Sequence, residues 1–101
     1  MFRGTTPTIT LSFPEGTDFT NATVYVSLSD SSRQEIMRLT DEDLFIENNI
    51  ISLFLTQEQT LALPWLVYIQ VNWTYGANGT MRACSNIVAF DTKRNLINEV
   101  L

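Results

Sequence analysis

Leu66-Val67-Tyr68-Ile69-Gln70-Val71-Asn72-Trp73-Thr74-Tyr75, followed by Gly76-Ala77-Asn78-Gly79, decides how this chain folds. Val67, Ile69, Val71, Trp73 and Tyr75 share one parity; Tyr68, Gln70, Asn72 and Thr74 share the other. A period of two sustained this long marks a β-strand with one buried face. Asn78-Gly79 accepts positive φ at little cost, so it turns the chain into a hairpin. Thr80 to Asp91 is then predicted to return antiparallel. Met81 and Ala83 are odd whereas Val88 and Phe90 are even, and a slip near Ser85 predicts a β-bulge.

Working outward, Thr8 to Phe13 alternates with Ile9, Leu11 and Phe13 on one face. Ala22 to Ser29 alternates with Val24, Val26 and Leu28 inward. Pro14-Glu15-Gly16-Thr17-Asp18 between them is turn chemistry. Gln34 to Leu39 reads as a short strand with Ile36 as its core residue, although Met37 and Leu39 have the other parity and leave its face open. Leu44 to Ile46 and Ile50 to Leu55 flank Asn48-Asn49, a second tight turn. Thr56 and Gln59 have capping-box spacing, so a helical turn is predicted over Gln57 to Leu61, ahead of Pro64. The last ten residues, with Leu96, Ile97, Val100 and Leu101, read as a closing strand, with a short amphipathic helix as the alternative. Ile9, Leu11, Val24, Val26, Leu28, Ile69, Val71 and Trp73 are the expected core.

About seven short strands with turn signals between them predict an all-β protein, an antiparallel β-sandwich of immunoglobulin-like layout with one short helical turn. A small barrel is the alternative. Residues 1–7 read as an N-terminal arm, polar and extended before Pro7, and residues 8–101 as a single β-sandwich domain. The chain has 101 residues, enough for one core.

Composition excludes more than it assigns. The sequence carries no histidine, one cysteine (Cys84) and one lysine (Lys93). A Ser-His or Cys-His nucleophile pair is therefore out of reach, as is a zinc site that needs about four Cys or His ligands. A single cysteine forms no internal disulfide, which fits a reducing compartment. The net charge is −5 at pH 7, so no basic surface is present to displace phosphate counterions, and nucleic acid is not an expected partner. No apolar stretch approaches the roughly 20 residues of a membrane span, and no membrane partner is expected. Met1 to Thr5 has no apolar run of the kind a signal peptide needs. The chain reads as non-enzymatic, with no catalytic residues, cofactor or metal.

Each cluster that could carry chemistry has a plainer reading. Asp41-Glu42-Asp43 with Glu47 offers oxygens for Ca²⁺ but lacks the alternating spacing and the glycine of a calcium loop, so it reads as a solvated approach to a hairpin. Adjacent strand carboxylates point to opposite faces, which works against a glycosidase pair. The sequons at Asn21, Asn72 and Asn78 read as unused. Trp65, Tyr68, Trp73 and Tyr75 could stack on a sugar, but core and interface packing is the plainer role. Cys84 reads as a small buried hydrophobe.

Arg3-Gly4-Thr5-Thr6-Pro7-Thr8 and Leu55-Thr56-Gln57-Glu58-Gln59-Thr60-Leu61, followed by Ile69-Gln70-Val71 and the ending Glu99-Val100-Leu101, carry a resemblance. In this order and spacing the chain resembles a family of small structural or auxiliary proteins of tailed phages and prophages of Firmicutes-type gut bacteria. Pro64-Trp65-Leu66 departs from the more polar stretch of that family. The resemblance implies a virion protein assembled in the host cytoplasm, with itself and other virion proteins as partners. A head-associated auxiliary or decoration role is the implied place, and a carbohydrate- or receptor-binding module of a phage tail is the alternative. Arg3, Thr5 and Thr6 of the arm, with Leu66, Tyr68 and Val88 on the sheet face opposite the predicted core, are the expected contact residues.

Overall fold

A computed structural model describes residues 1–101. Its longest strand covers the decisive segment: Leu66–Tyr75, here β6. Val67, Ile69 and Val71 are buried in the parity that the sequence predicts. Thr23–Ser29 (β2) pairs with β6 along its whole length, placing Val24 opposite Trp73, Val26 opposite Val71 and Leu28 opposite Ile69. Each such buried aliphatic side chain contributes about 1.5–3 kcal/mol from leaving water. Glu35–Leu39 (β3) flanks β2, while Met81–Cys84 (β7) and Val88–Asp91 (β8) both pair with β6 on its other side. The result is a five-stranded antiparallel sheet of order β3-β2-β6-β7, with β8 continuing beyond β7.

The predicted slip is real. Asn72 lies opposite Cys84 and Ile69 opposite Val88, so three steps along β6 match four along its partners. Ser85 fills the gap: its N–H donates to the Val71 carbonyl (2.8 Å) and its Oγ accepts from the Val71 N–H (2.9 Å). The eighth strand arises here, where one predicted return strand becomes two.

Thr8–Ser12 (β1), Leu44–Glu47 (β4) and Ile50–Phe54 (β5) form a three-stranded antiparallel sheet of order β1-β5-β4. Asn48, at φ 53°, makes the tight turn between β4 and β5. Ile9, Leu11, Leu44, Ile46, Ile51 and Leu53 face the larger sheet and close the core. The fold is thus an all-β sandwich of two antiparallel sheets. Of the expected core, Val24, Val26, Leu28, Ile69 and Val71 are buried; Ile9, Leu11 and Trp73 pack half-buried at its margin.

Three expectations need correction. On β3 the core residue is Leu39, not Ile36: Leu39 pairs with Val26 and Met37 with Leu28, both inward on β2, while Ile36 falls at the register shift between Leu28 and Ser29. Cys84 is exposed, because β7 lies at the sheet edge with nothing above it. The last residues form no closing strand: Leu96 is fully exposed, Ile97, Val100 and Leu101 are largely so, and the segment beyond β8 makes one isolated bridge, Lys93 with Phe2.

Helix α1 (Gln57–Ala62) starts as the spacing predicts. Gln59 N–H donates to Thr56 Oγ1 (3.1 Å) and Thr56 N–H donates to Gln59 Oε1 (2.8 Å), which satisfies two otherwise orphaned donors. Residues 1–7 lie against this helix. The Arg3 guanidinium donates to the Leu61 carbonyl, the buried Thr60 hydroxyl donates to the Thr5 carbonyl (2.8 Å), and Asn95 donates to the Arg3 carbonyl (2.9 Å). Gly4, at φ +78° with its Cα facing Leu61, lets the chain approach that closely.

Candidate functional site

The six expected contact residues fall in separate places. Arg3 and Thr5 spend their polar groups within the chain, on Leu61 and on Thr60 and Phe2. Thr6 is exposed beside Phe54 and Val100. Leu66 and Tyr68 do lie on the outer face of the larger sheet, and the Arg33 guanidinium stacks 5.8 Å from the Tyr68 ring centroid. Val88 does not share that face. It stands directly opposite Ile69, a core residue, and therefore points to the inner side; the extra residue at Ser85 reverses the parity on which the expectation rested.

Although it points inward, Val88 is 56% exposed. The reason is the unequal width of the sheets. Three strands cannot cover a sheet four strand positions wide, and the inner face of the edge that β7 and β8 share along β6 is left bare. A cleft of about 630 Å³ opens between β1 and this edge, lined by Leu11, Phe13, Ile69, Val71, Trp73, Cys84 and Val88 with Ser85, Asn86 and Thr17. Phe13, Phe19 and Trp73 pack edge-to-face at one end of it, with ring centroids 5.1–5.7 Å apart. Sequence reasoning missed Phe19, which sits outside any alternating run; only its being a large apolar residue in a polar loop gave a signal.

A second surface covers the outer face of the larger sheet and is polar. Glu35 accepts from the Ser27 hydroxyl (2.7 Å) and pairs with Arg38 (3.1 Å). Arg82 donates through two nitrogens to Asn72 Oδ1, at 3.2 and 2.9 Å. Tyr25, Gln70 and Thr74 complete the patch. The Ser27 hydrogen bond, then Arg38, holds the Glu35 carboxyl below its usual range. That makes Glu35 a weaker base, the opposite of what activation of Ser27 as a nucleophile requires.

The outer face of the smaller sheet carries Phe45, Ile50 and Phe54, all exposed, among Thr8, Thr10, Ser12 and Ser52. The acidic run is divided by its turn. Asp41 Oδ1 accepts from the Val24 N–H (3.3 Å), and Asp43 Oδ2 accepts from the Thr40 N–H (3.3 Å). Each carboxylate thus serves a different backbone donor, and the run caps structure. Trp65, 70% exposed, stands at a corner with Arg3, Ile36 and Arg94.

Comparison with protein-family models, with characterised proteins and with solved structures found no match. The geometry itself defines a β protein of two antiparallel sheets.

Proposed function

We propose that this chain is a non-enzymatic structural protein of a phage particle, a head-associated auxiliary or decoration component that works through protein–protein contacts. It acts in the virion, after assembly in the host cytoplasm, with copies of itself and other virion proteins as partners. One observation carries the reading: large apolar side chains stand exposed on surfaces outside the core, in the cleft at Val88 and on the smaller sheet at Phe45 and Phe54. Exposed apolar surface of this kind marks interaction sites. The sequence resemblance supplies the phage context. Electron microscopy of particles assembled with the tagged chain tests it; density for the tag on the head is the expected result, and particles with no tag density overturn the proposal.

A tail-borne carbohydrate- or receptor-binding module is the second reading, favoured by one feature. Glu35, Arg38, Asn72 and Arg82 form a hydrogen-bonding array beside Tyr25 on an exposed sheet face. Glycan-array binding that Arg82→Ala abolishes supports this second reading over the first.

A further inference from the structure

The order of strands points to what the cleft is for. In an immunoglobulin-type sandwich one sheet runs A-B-E-D and the other C-F-G, with C′ beside C in the wider variants. Here β1-β5-β4 corresponds to B-E-D, and β3-β2-β6-β7 to C′-C-F-G. Strand A has no counterpart. Residues 1–7, which precede β1, are tied to α1 and to the segment after β8 and form a single bridge, Phe2 with Lys93. The cleft between β1 and the β7–β8 edge is the groove where strand A belongs.

That groove has the chemistry of an unfilled strand position. β5 donates to or accepts from Pro7 and Phe13 at the ends of β1: Leu55 N–H donates to the Pro7 carbonyl (3.2 Å), and Phe13 N–H donates to the Asn49 carbonyl (2.9 Å). Antiparallel alternation then directs the backbone groups of Thr8, Thr10 and Ser12 to the free edge. Below that edge lie Leu11, Val71, Trp73 and Val88.

We infer that the groove is filled by residues 96–101 of a second copy, added as a strand along β1 of the first. This rests on the proposed reading that the chain acts through protein–protein contacts. The segment is apolar and exposed, and Leu96 and Val100 share the parity that lets both enter the cleft. In its own chain it is held elsewhere, by Leu101 N–H donating to Gln57 Oε1 (2.6 Å) on α1. Charge fits as well. Lys93 and Arg94 precede the segment, while Glu15 and Asp18 adjoin the cleft-lining Pro14 and Thr17. Arg38 with Glu35 is the one ion pair in the chain, so all four charges lack an ionic partner. Strand addition to a free edge combines main-chain hydrogen bonds with side-chain pockets. Each chain offers one segment and one groove, so the exchange closes as a reciprocal dimer or a larger ring, or continues as a filament.

Ala83, opposite Trp73 on the inner side of β7, supplies the test, whereas Cys84, opposite Asn72, points to the outer face. Full-length Ala83→Cys, Cys84→Ser, Val100→Cys protein, ¹⁴N- and ¹⁵N-labelled, is mixed in urea, refolded and oxidised, and the disulfide-linked peptides are read by mass spectrometry. The expected product joins the residue-100 peptide of one isotope to the residue-83 peptide of the other, several-fold above a control with Glu42→Cys in place of Val100→Cys. Adding Val88→Lys removes the excess. Links found only within one isotope overturn the inference, because the segment then closes its own groove; so does a yield equal to the control. Failure here with tag density still on particles discards the strand exchange and leaves the virion reading standing.

Discussion

The two ends of the sandwich handle their backbone in opposite ways. At the end formed by α1, residues 1–7 and the segment after β8, single hydroxyls stitch the chain together. Thr60 and Thr92 are the two buried polar residues, and both lie here, donating to the Thr5 and Pro64 carbonyls. At the other side, between β1 and the β7–β8 edge, a strand edge and several large side chains meet solvent. Buried hydroxyls with their donors satisfied fix one arrangement, whereas an open edge leaves backbone donors and acceptors free to pair.

Substitutions at the two ends sharpen or break this contrast. The largest effect is expected at the stitched end. Leu63→Ala, in a fully packed site, should cost about 2–5 kcal/mol in urea unfolding through lost burial and the cavity left behind. Thr60→Val keeps the shape and removes the hydroxyl, stranding the Thr5 carbonyl. A loss of about 1–3 kcal/mol is expected. A melting temperature equal to wild type would show that the stitch is dispensable.

Thr56→Ala should cost about 0.5–2 kcal/mol by removing the helix cap. Particle association should be unchanged, and its loss without a change in stability would turn this end into a contact site. Across the molecule, Val88→Ser should leave unfolding within about 0.5 kcal/mol of wild type, since the side chain is already mostly in water. Its expected effect is on self-association, measured by sedimentation equilibrium.

The smallest effect concerns pH. The Glu35 carboxyl is held below its usual range by Ser27 and then Arg38, so the folded state favours the ionised form. That contribution is present above the unfolded carboxylate pKa and is lost as pH falls through the folded one. Glu35 is exposed, so the gain is slight. Glu35→Gln should be marginally less stable than wild type at neutral pH and equal to it at the acid end of an unfolding series.

The sequence was most legible where structure is local. Period two over Leu66–Tyr75, the Asn48 and Asn78 turns and the Thr56 cap each depend on neighbours along the chain, and each formed as read. Misreadings arose where one residue or one distant partner decides. Val88 was placed by parity, and the one-residue bulge before its strand reversed it; Ile36 lost to Met37 and Leu39, whose opposite parity pairs them with the inward residues of β2. Thr60 looks like an ordinary helix surface residue until residues 1–7 fold over it, and nothing nearby in sequence announces that contact. Among the expected contact residues, parity along β6 put Leu66 and Tyr68 on the outer face. Arg3 instead donates to the Leu61 carbonyl of α1, and Thr5 donates to the Phe2 carbonyl and accepts from the Thr60 hydroxyl.

The bulge at Ser85 also has a consequence in time. It breaks the return strand into two short ladders, each of four residue pairs with β6, joined by the two bonds between Ser85 and Val71 and by the Gln70 side-chain amide donating to the Ser85 carbonyl. Cooperative opening stops at such a joint. In deuterium, the amides of β7 and those of β8 should exchange at two separate rates, β7 the faster because its far end is the Ala77–Gly79 turn. The Val71 amide is the exception inside the strand. Its acceptor is a hydroxyl on a rotatable side chain, so its lifetime reports the turning of Ser85 as well as the opening of the sheet.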